Sequence, residues 1–128
     1  MMVHKLYAIM LLPAVKNMNG NRGRMAVQAA HGFLHSYWDS VNRFPEDALA
    51  YQNQGSAFKI CLVVDTEEAL ETLKNKYESI CGTRLVLERG TKADGSVNEA
   101  VKGITCLGLG PIEESLVGDD LRALRSFL

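Results

Sequence analysis

The first acidic residue of this chain is Asp39. The 38 residues before it carry Lys5, Lys16, Arg22 and Arg24 and no carboxylate, whereas the other 90 hold all 15 acids and 10 of the 14 Lys/Arg. One basic end on a chain of net charge −1 suits a phosphate-bearing partner touched at one face, and excludes a nonspecific duplex coat, which needs far more positive charge. Cysteine is scarce and odd in number. Cys61, Cys81 and Cys106 are widely spaced beside apolar runs, which excludes a disulfide framework and predicts reduced, buried thiols in a cytoplasmic protein. Long apolar runs are missing too: Leu6–Val15 is broken by Pro13, far short of the ~20 residues that cross a bilayer, and no small-x-small cleavage site follows it. No membrane partner is expected. G-x-G-x-x-G and G-x-x-x-x-G-K-[ST] are both absent, so nothing announces a nucleotide cofactor.

What is present is ordinary globular composition, 47% hydrophobic and 23% charged, in 128 residues that fit one domain, 1–128. Lys5–Leu12 reads as a buried strand ended by Pro13, and Lys16–Gly23, with three asparagines and two glycines, as a loop. Arg22–Val41 follows as an amphipathic helix whose apolar face carries Met25, Ala26, Ala29, Ala30, Phe33, Leu34, Tyr37, Trp38 and Val41. Pro45 opens a short helix, Glu46–Gln54, which ends at Gly55. Phe58–Val64 is a strand, Glu68–Ile80 a helix capped by the preceding Asp65-Thr66 and ended by Gly82, Arg84–Glu88 a strand, and Ile104–Leu109 a strand. Gly90–Lys102 reads as a loop, and Glu113–Leu128 as a final helix with Leu116, Leu121, Leu124 and Leu128 towards the core. The order β-α-α-β-α-β-β-α predicts an α/β domain: a mixed four-stranded sheet with helices on both faces and its last two strands antiparallel.

The chemistry concentrates on the long helix. Arg24, Gln28, His31 and His35 stand at offsets 0, 4, 7 and 11, within a stripe of about 60°. A cation, an amide and a base on one stripe at a helix start make a candidate site, and the first turn's free N–H groups favour anions. His31 and His35 at i, i+4 lack the Glu and third ligand of a zinc motif, so no metal is expected. No Ser or Cys stands in a nucleophile elbow. A hydrolase built from these residues would use water, with histidine as base, its unperturbed pKa of ~6.5 suiting neutral pH.

The stretch Gly23-Arg24-Met25-Ala26-Val27-Gln28-Ala29-Ala30-His31-Gly32 resembles the G-K-x-A-x-Q-x-x-H-[AG] pattern of the second-type peptidyl-tRNA hydrolases. Thr105-Cys106-Leu107-Gly108-Leu109-Gly110-Pro111 is similar to that family's T-x-L-x-I-G-P. The match has departures. Arg24 stands for the family's lysine, and Glu88-Arg89-Gly90-Thr91-Lys92 for its D-A-G-x-T. The resemblance implies hydrolysis of the ester joining a peptide to the 3′ end of tRNA, with no metal and no cofactor. On that footing His31 positions or deprotonates water with Glu88 orienting its ring, Gln28 holds the ester or water, and Arg24 stabilises the oxyanion or a terminal phosphate. Lys16 and Arg22 are expected on the acceptor-stem backbone, Thr105 is placed with them as tRNA-binding, and His35 falls outside the site as a surface residue. The partner is then the acceptor end of peptidyl-tRNA; a homodimer is compatible with the sequence. The departures at Arg24 and Glu88 also suit an alternative, a non-catalytic tRNA-binding or adaptor protein that keeps the fold.

Overall fold

The computed structural model describes residues 3–91, 94 and 96–127, with backbone alone for residues 89–91 and 97–102. Strand β1 (His4–Leu11) runs into a short helix α1 (Leu12–Asn17), followed by α2 (Arg22–Arg43), α3 (Pro45–Asn53), β2 (Lys59–Val64) and α4 (Glu67–Tyr77). Strands β3 (Thr83–Thr91) and β4 (Val97–Glu113) come next, then a 3-10 turn (Glu114–Leu116), α5 (Asp119–Arg122) and β5 (Arg125–Ser126). The strands form one sheet in the order β3-β4-β1-β2-β5. β1 and β2 are parallel, joined by the helical crossover; β4 is antiparallel to both β1 and β3.

Period-two alternation along β1 divides the core. Tyr7, Ile9 and Leu11 pack with Leu70, Leu73 and Tyr77 of α4, while Met10 packs with Val63, Val86 and Cys106 beneath Met25 and Ala29 of α2. The sheet is therefore mixed with helices on both faces, as expected. It has five strands rather than four, because the stretch read as a final helix holds only the 3-10 turn and the four-residue α5 before β5 pairs with β2 through Leu62–Ser126 and Val63–Arg125. Leu121 is buried, Leu116 is exposed, and Leu128 lies outside the described residues.

Three further expectations are corrected. Pro13 does end β1, but it also occupies the first turn of α1, where its missing N–H costs nothing, so the expected loop begins only after Asn17. Gly90–Lys102 is largely not loop: Gly90 pairs with Asn98 and Thr91 with Val97, extending the β3–β4 hairpin; Lys92, Ala93 and Gly95 lie outside the described residues. α4 stops at Tyr77, short of Gly82. Its start is capped as expected, the Thr66 side chain accepting from the Ala69 N–H at 3.2 Å.

The largest correction concerns which face of α2 is buried. Leu34, Trp38 and Val41 of the expected apolar face are exposed, and the buried residues are Gln28, Gly32, Ser36 and Ser40. Close approach decides this. A Cβ on Gly108 would stand 2.0 Å from the Gly32 carbonyl oxygen, and one on Gly82 2.2 Å from the Ser40 hydroxyl. At that separation only small side chains fit, and the serines pair with strand backbone instead of adding apolar area. Ser36 donates to the carbonyls of Gly110 (2.6 Å) and Gly82 (3.1 Å); Ser40 donates to Gly110 (2.9 Å) and accepts from the Gly82 N–H (3.2 Å).

All three cysteines are free. Cys81 and Cys106 are buried as expected and burial pushes their thiols up to about 12; Cys61 is half-buried and raised to about 11. No helix among the described residues is long and apolar enough to cross a membrane.

Candidate active site

Seating α2 on the glycines of β4 turns its polar stripe sideways, towards β3 at the sheet edge. Asn21 fixes the helix start, its side chain accepting from the Arg24 N–H at 3.1 Å. Further along, Asp39 ties α2 to the first residue of β3. Its carboxylate accepts from the Thr83 N–H at 2.9 Å and from Arg43, whose hydrogen bond holds Asp39 below the usual carboxylate range. A cleft between α2 and β3 results, with Arg24, His31 and His35 on one wall and Arg84, Val86 and Glu88 on the other; Gln28 is buried behind it, against β4.

At one end of the cleft, Arg24 meets Glu88. A single carboxylate oxygen of Glu88 takes both Nη2 (2.6 Å) and Nε (3.1 Å), with the two side chains 30% and 15% exposed. The carboxylate expected to orient His31 instead holds the guanidinium. Next to the pair, Thr105 donates to the Gln28 Oε1 at 2.8 Å. Thr105 is 3% exposed and Gln28 6%, so Thr105, placed among the tRNA-binding residues by sequence, reaches Gln28 rather than solvent. The register explains how. Val86 pairs with Cys106 and Leu87 with Ile104, which leaves Thr105 as the extra residue of a bulge, turned to the same side as Cys106. With its oxygen engaged, the Gln28 amide keeps its N–H donors unpaired among the described residues.

Arg24, Glu88 and Thr105 border a depression of about 200 Å³ whose lining adds Leu11, Pro13, Asn17 and Glu67. It lies at the carboxyl end of β1, where α1 leaves and α4 begins, the end at which open α/β sheets bind ligands. That rule, applied to the predicted order, would have pointed to Asn17 and Glu67, which the sequence reading missed. His31 is exposed and lines a second depression, of about 290 Å³, with His35, Arg84 and residues 85–87. His35, expected outside the site, is half-buried, its ring 5.7 Å from that of His31. Lys16 and Arg22 are exposed at the other end, near the α1–α2 turn.

The chemistry available is hydrogen-bond donation from a fixed amide, a fixed guanidinium and an accessible imidazole one turn on. Among the described residues no three His, Cys, Asp or Glu converge as metal ligands. Cys106 is no nucleophile: with its thiol raised to about 12 it carries almost no thiolate near neutrality.

The chain matches the family described as peptidyl-tRNA hydrolase PTH2 over residues 9–127. It is 30% identical to a peptidyl-tRNA hydrolase of Thermococcus sibiricus over 98 residues, covering 76% of this chain and 78% of the relative. It is 33% identical to a peptidyl-tRNA hydrolase of Thermococcus onnurineus over 103 residues, covering 80% and 82%. Both motifs that border the cleft, residues 23–32 and 105–111, fall inside the matched span, and the chain belongs to the PTH2 family of peptidyl-tRNA hydrolases.

Proposed function

We propose that the chain hydrolyses the ester bond of peptidyl-tRNA, releasing free tRNA and peptide, with water as the attacking group. The observation that supports this most is the Thr105–Gln28 hydrogen bond, which leaves amide donors beside a guanidinium and one helical turn from an imidazole. His31 takes a proton from water as the water oxygen bonds to the ester carbonyl carbon, and Gln28 and Arg24 stabilise the oxyanion. The bond to the ribose 3′ oxygen then breaks, and His31 returns the proton to that oxygen. Glu88 and Thr105 act by positioning, one holding Arg24 and the other Gln28; holding such groups rigid lowers the reorganisation needed at the transition state. Lys16 and Arg22 reach the backbone of the acceptor end without reading its sequence.

A second reading, tRNA binding without cleavage, draws on the same Arg24–Glu88 pair, which neutralises the guanidinium within the depression. The two part in one assay. Purified protein incubated with peptidyl-tRNA is expected to release free tRNA, and His31→Ala to lower kcat by about 10²–10⁴-fold. Salt-sensitive binding with the ester left intact would overturn hydrolysis in favour of the second reading.

A further inference from the structure

The cleft continues beyond His31. His35 lies between His31 and Trp38, its ring 5.7 Å from the first and 5.2 Å from the second, with the indole edge-on at 85°. Trp38 is 52% exposed, and Arg84 is exposed on the opposite wall, on a strand that among the described residues is the edge of the sheet. The nearby carboxylate of Asp39 is already engaged by Arg43 and the Thr83 N–H. Single exposed apolar side chains are normal on a protein surface, but two imidazoles sharing a depression with a guanidinium, with an exposed indole against the second, have the composition of a surface that stacks unpaired nucleobases.

We infer that this end of the cleft seats the unpaired base of the nucleotide that carries the ester, stacked on one of the two perpendicular rings, His35 or Trp38, with its edge to the other and Arg84 beside it. The inference rests on the hydrolase reading for the identity of the RNA. The rings and the guanidinium supply the rest. Base and ester share one ribose, so a base seat must adjoin the groups that hold the ester. Gln28 and His35 are about 10 Å apart along the helix axis at 1.5 Å per residue, a span one nucleoside bridges, and His31 stands between them. The backbone 5′ to that nucleotide stays free to turn towards Lys16 and Arg22, on the acid-free part of the chain.

Trp38 is the chain's one tryptophan, so its emission reports directly on the seat. The whole protein is titrated with a short single-stranded RNA ending in an unpaired adenosine, and with adenosine monophosphate as a base-only probe. Saturable quenching by both is expected, weakened about tenfold by His35→Ala and by Arg84→Ala, a loss typical of one stacked base. In hydrolysis assays Trp38→Ala and His35→Ala are expected to raise KM about tenfold with kcat kept, and Trp38→Phe to restore KM, since phenylalanine still stacks. Quenching that neither His35→Ala nor Arg84→Ala weakens would overturn the inference. So would emission that shifts with protein concentration but not with RNA, which would place a second copy on the rings. Failure of the parent reading looks different: quenching without hydrolysis leaves the seat standing and removes the hydrolase, whereas hydrolysis with KM indifferent to His35 and Trp38 removes only the seat.

Discussion

The two ends of the α2–β3 cleft are built on opposite principles. Around Arg24 and Gln28, polar groups are tied to fixed partners: a carboxylate holds the guanidinium, and a hydroxyl turned inward by a strand bulge holds the amide. Around His35 and Trp38, rings lean on one another and on solvent, with no hydrogen bond fixing them among the described residues. Tied groups preorganise a transition state at no cost during the reaction, while an open ring surface accepts a flat ligand from many approaches. The first arrangement suits the reacting bond and the second suits capture.

Removing the support common to both ends has the largest expected effect. Gly108→Ala forces a Cβ to 2.0 Å from the Gly32 carbonyl oxygen, so α2 must lift from β4. A stability loss of about 3 kcal/mol or more is expected in urea denaturation, with hydrolysis and tryptophan quenching falling together. Next in size, Thr105→Val keeps side-chain shape but removes the donor to Gln28. It is expected to cost about 1 kcal/mol of stability and to lower kcat about tenfold or more, without altering quenching. An Arg24→Ala and Glu88→Gln double-mutant cycle should return a coupling of about 0.5–3 kcal/mol in the same denaturation measurement; zero coupling would remove the tie on which the contrast depends.

The smallest effect is on pH dependence. Asp39 titrates in the folded chain below its ordinary 3.8, through the hydrogen bond from Arg43. A depressed carboxyl pKa contributes stability that is full above the unfolded value and is lost as pH falls through the folded one. Wild type should therefore lose stability in acid more steeply than Asp39→Asn from about pH 4 downwards, measured as denaturation midpoints.

The order of the four long strands and of α2, α3 and α4 was readable because apolar runs and helical periodicity report burial, whereas the short α1 and β5 were not. Phe58–Val64 and Arg84–Glu88 fall inside or within a residue of their strands for that reason. The buried face of α2 was not readable from hydrophobicity. It touches glycines, and what the contact rewards is smallness and hydroxyl donation, so Gly32, Ser36 and Ser40 win over Leu34 and Trp38. Helical spacing set Arg24, Gln28 and His31 on one side of α2, but it could not tell that Gln28 turns in to β4 while Arg24 and His31 line two different depressions. The partner of Glu88 and the reach of Thr105 were hidden because both depend on the register of β3 against β4, where one bulge residue exchanges the two faces of a strand.

The central claim, that one end of the cleft does the chemistry and the other holds the substrate, is tested most directly by kcat and KM of Thr105→Val and His35→Ala on one peptidyl-tRNA. A split is expected: Thr105→Val lowers kcat with KM nearly unchanged, and His35→Ala raises KM with kcat nearly unchanged. If both variants move the same constant by the same factor, the two ends act as one unit and the account is contradicted.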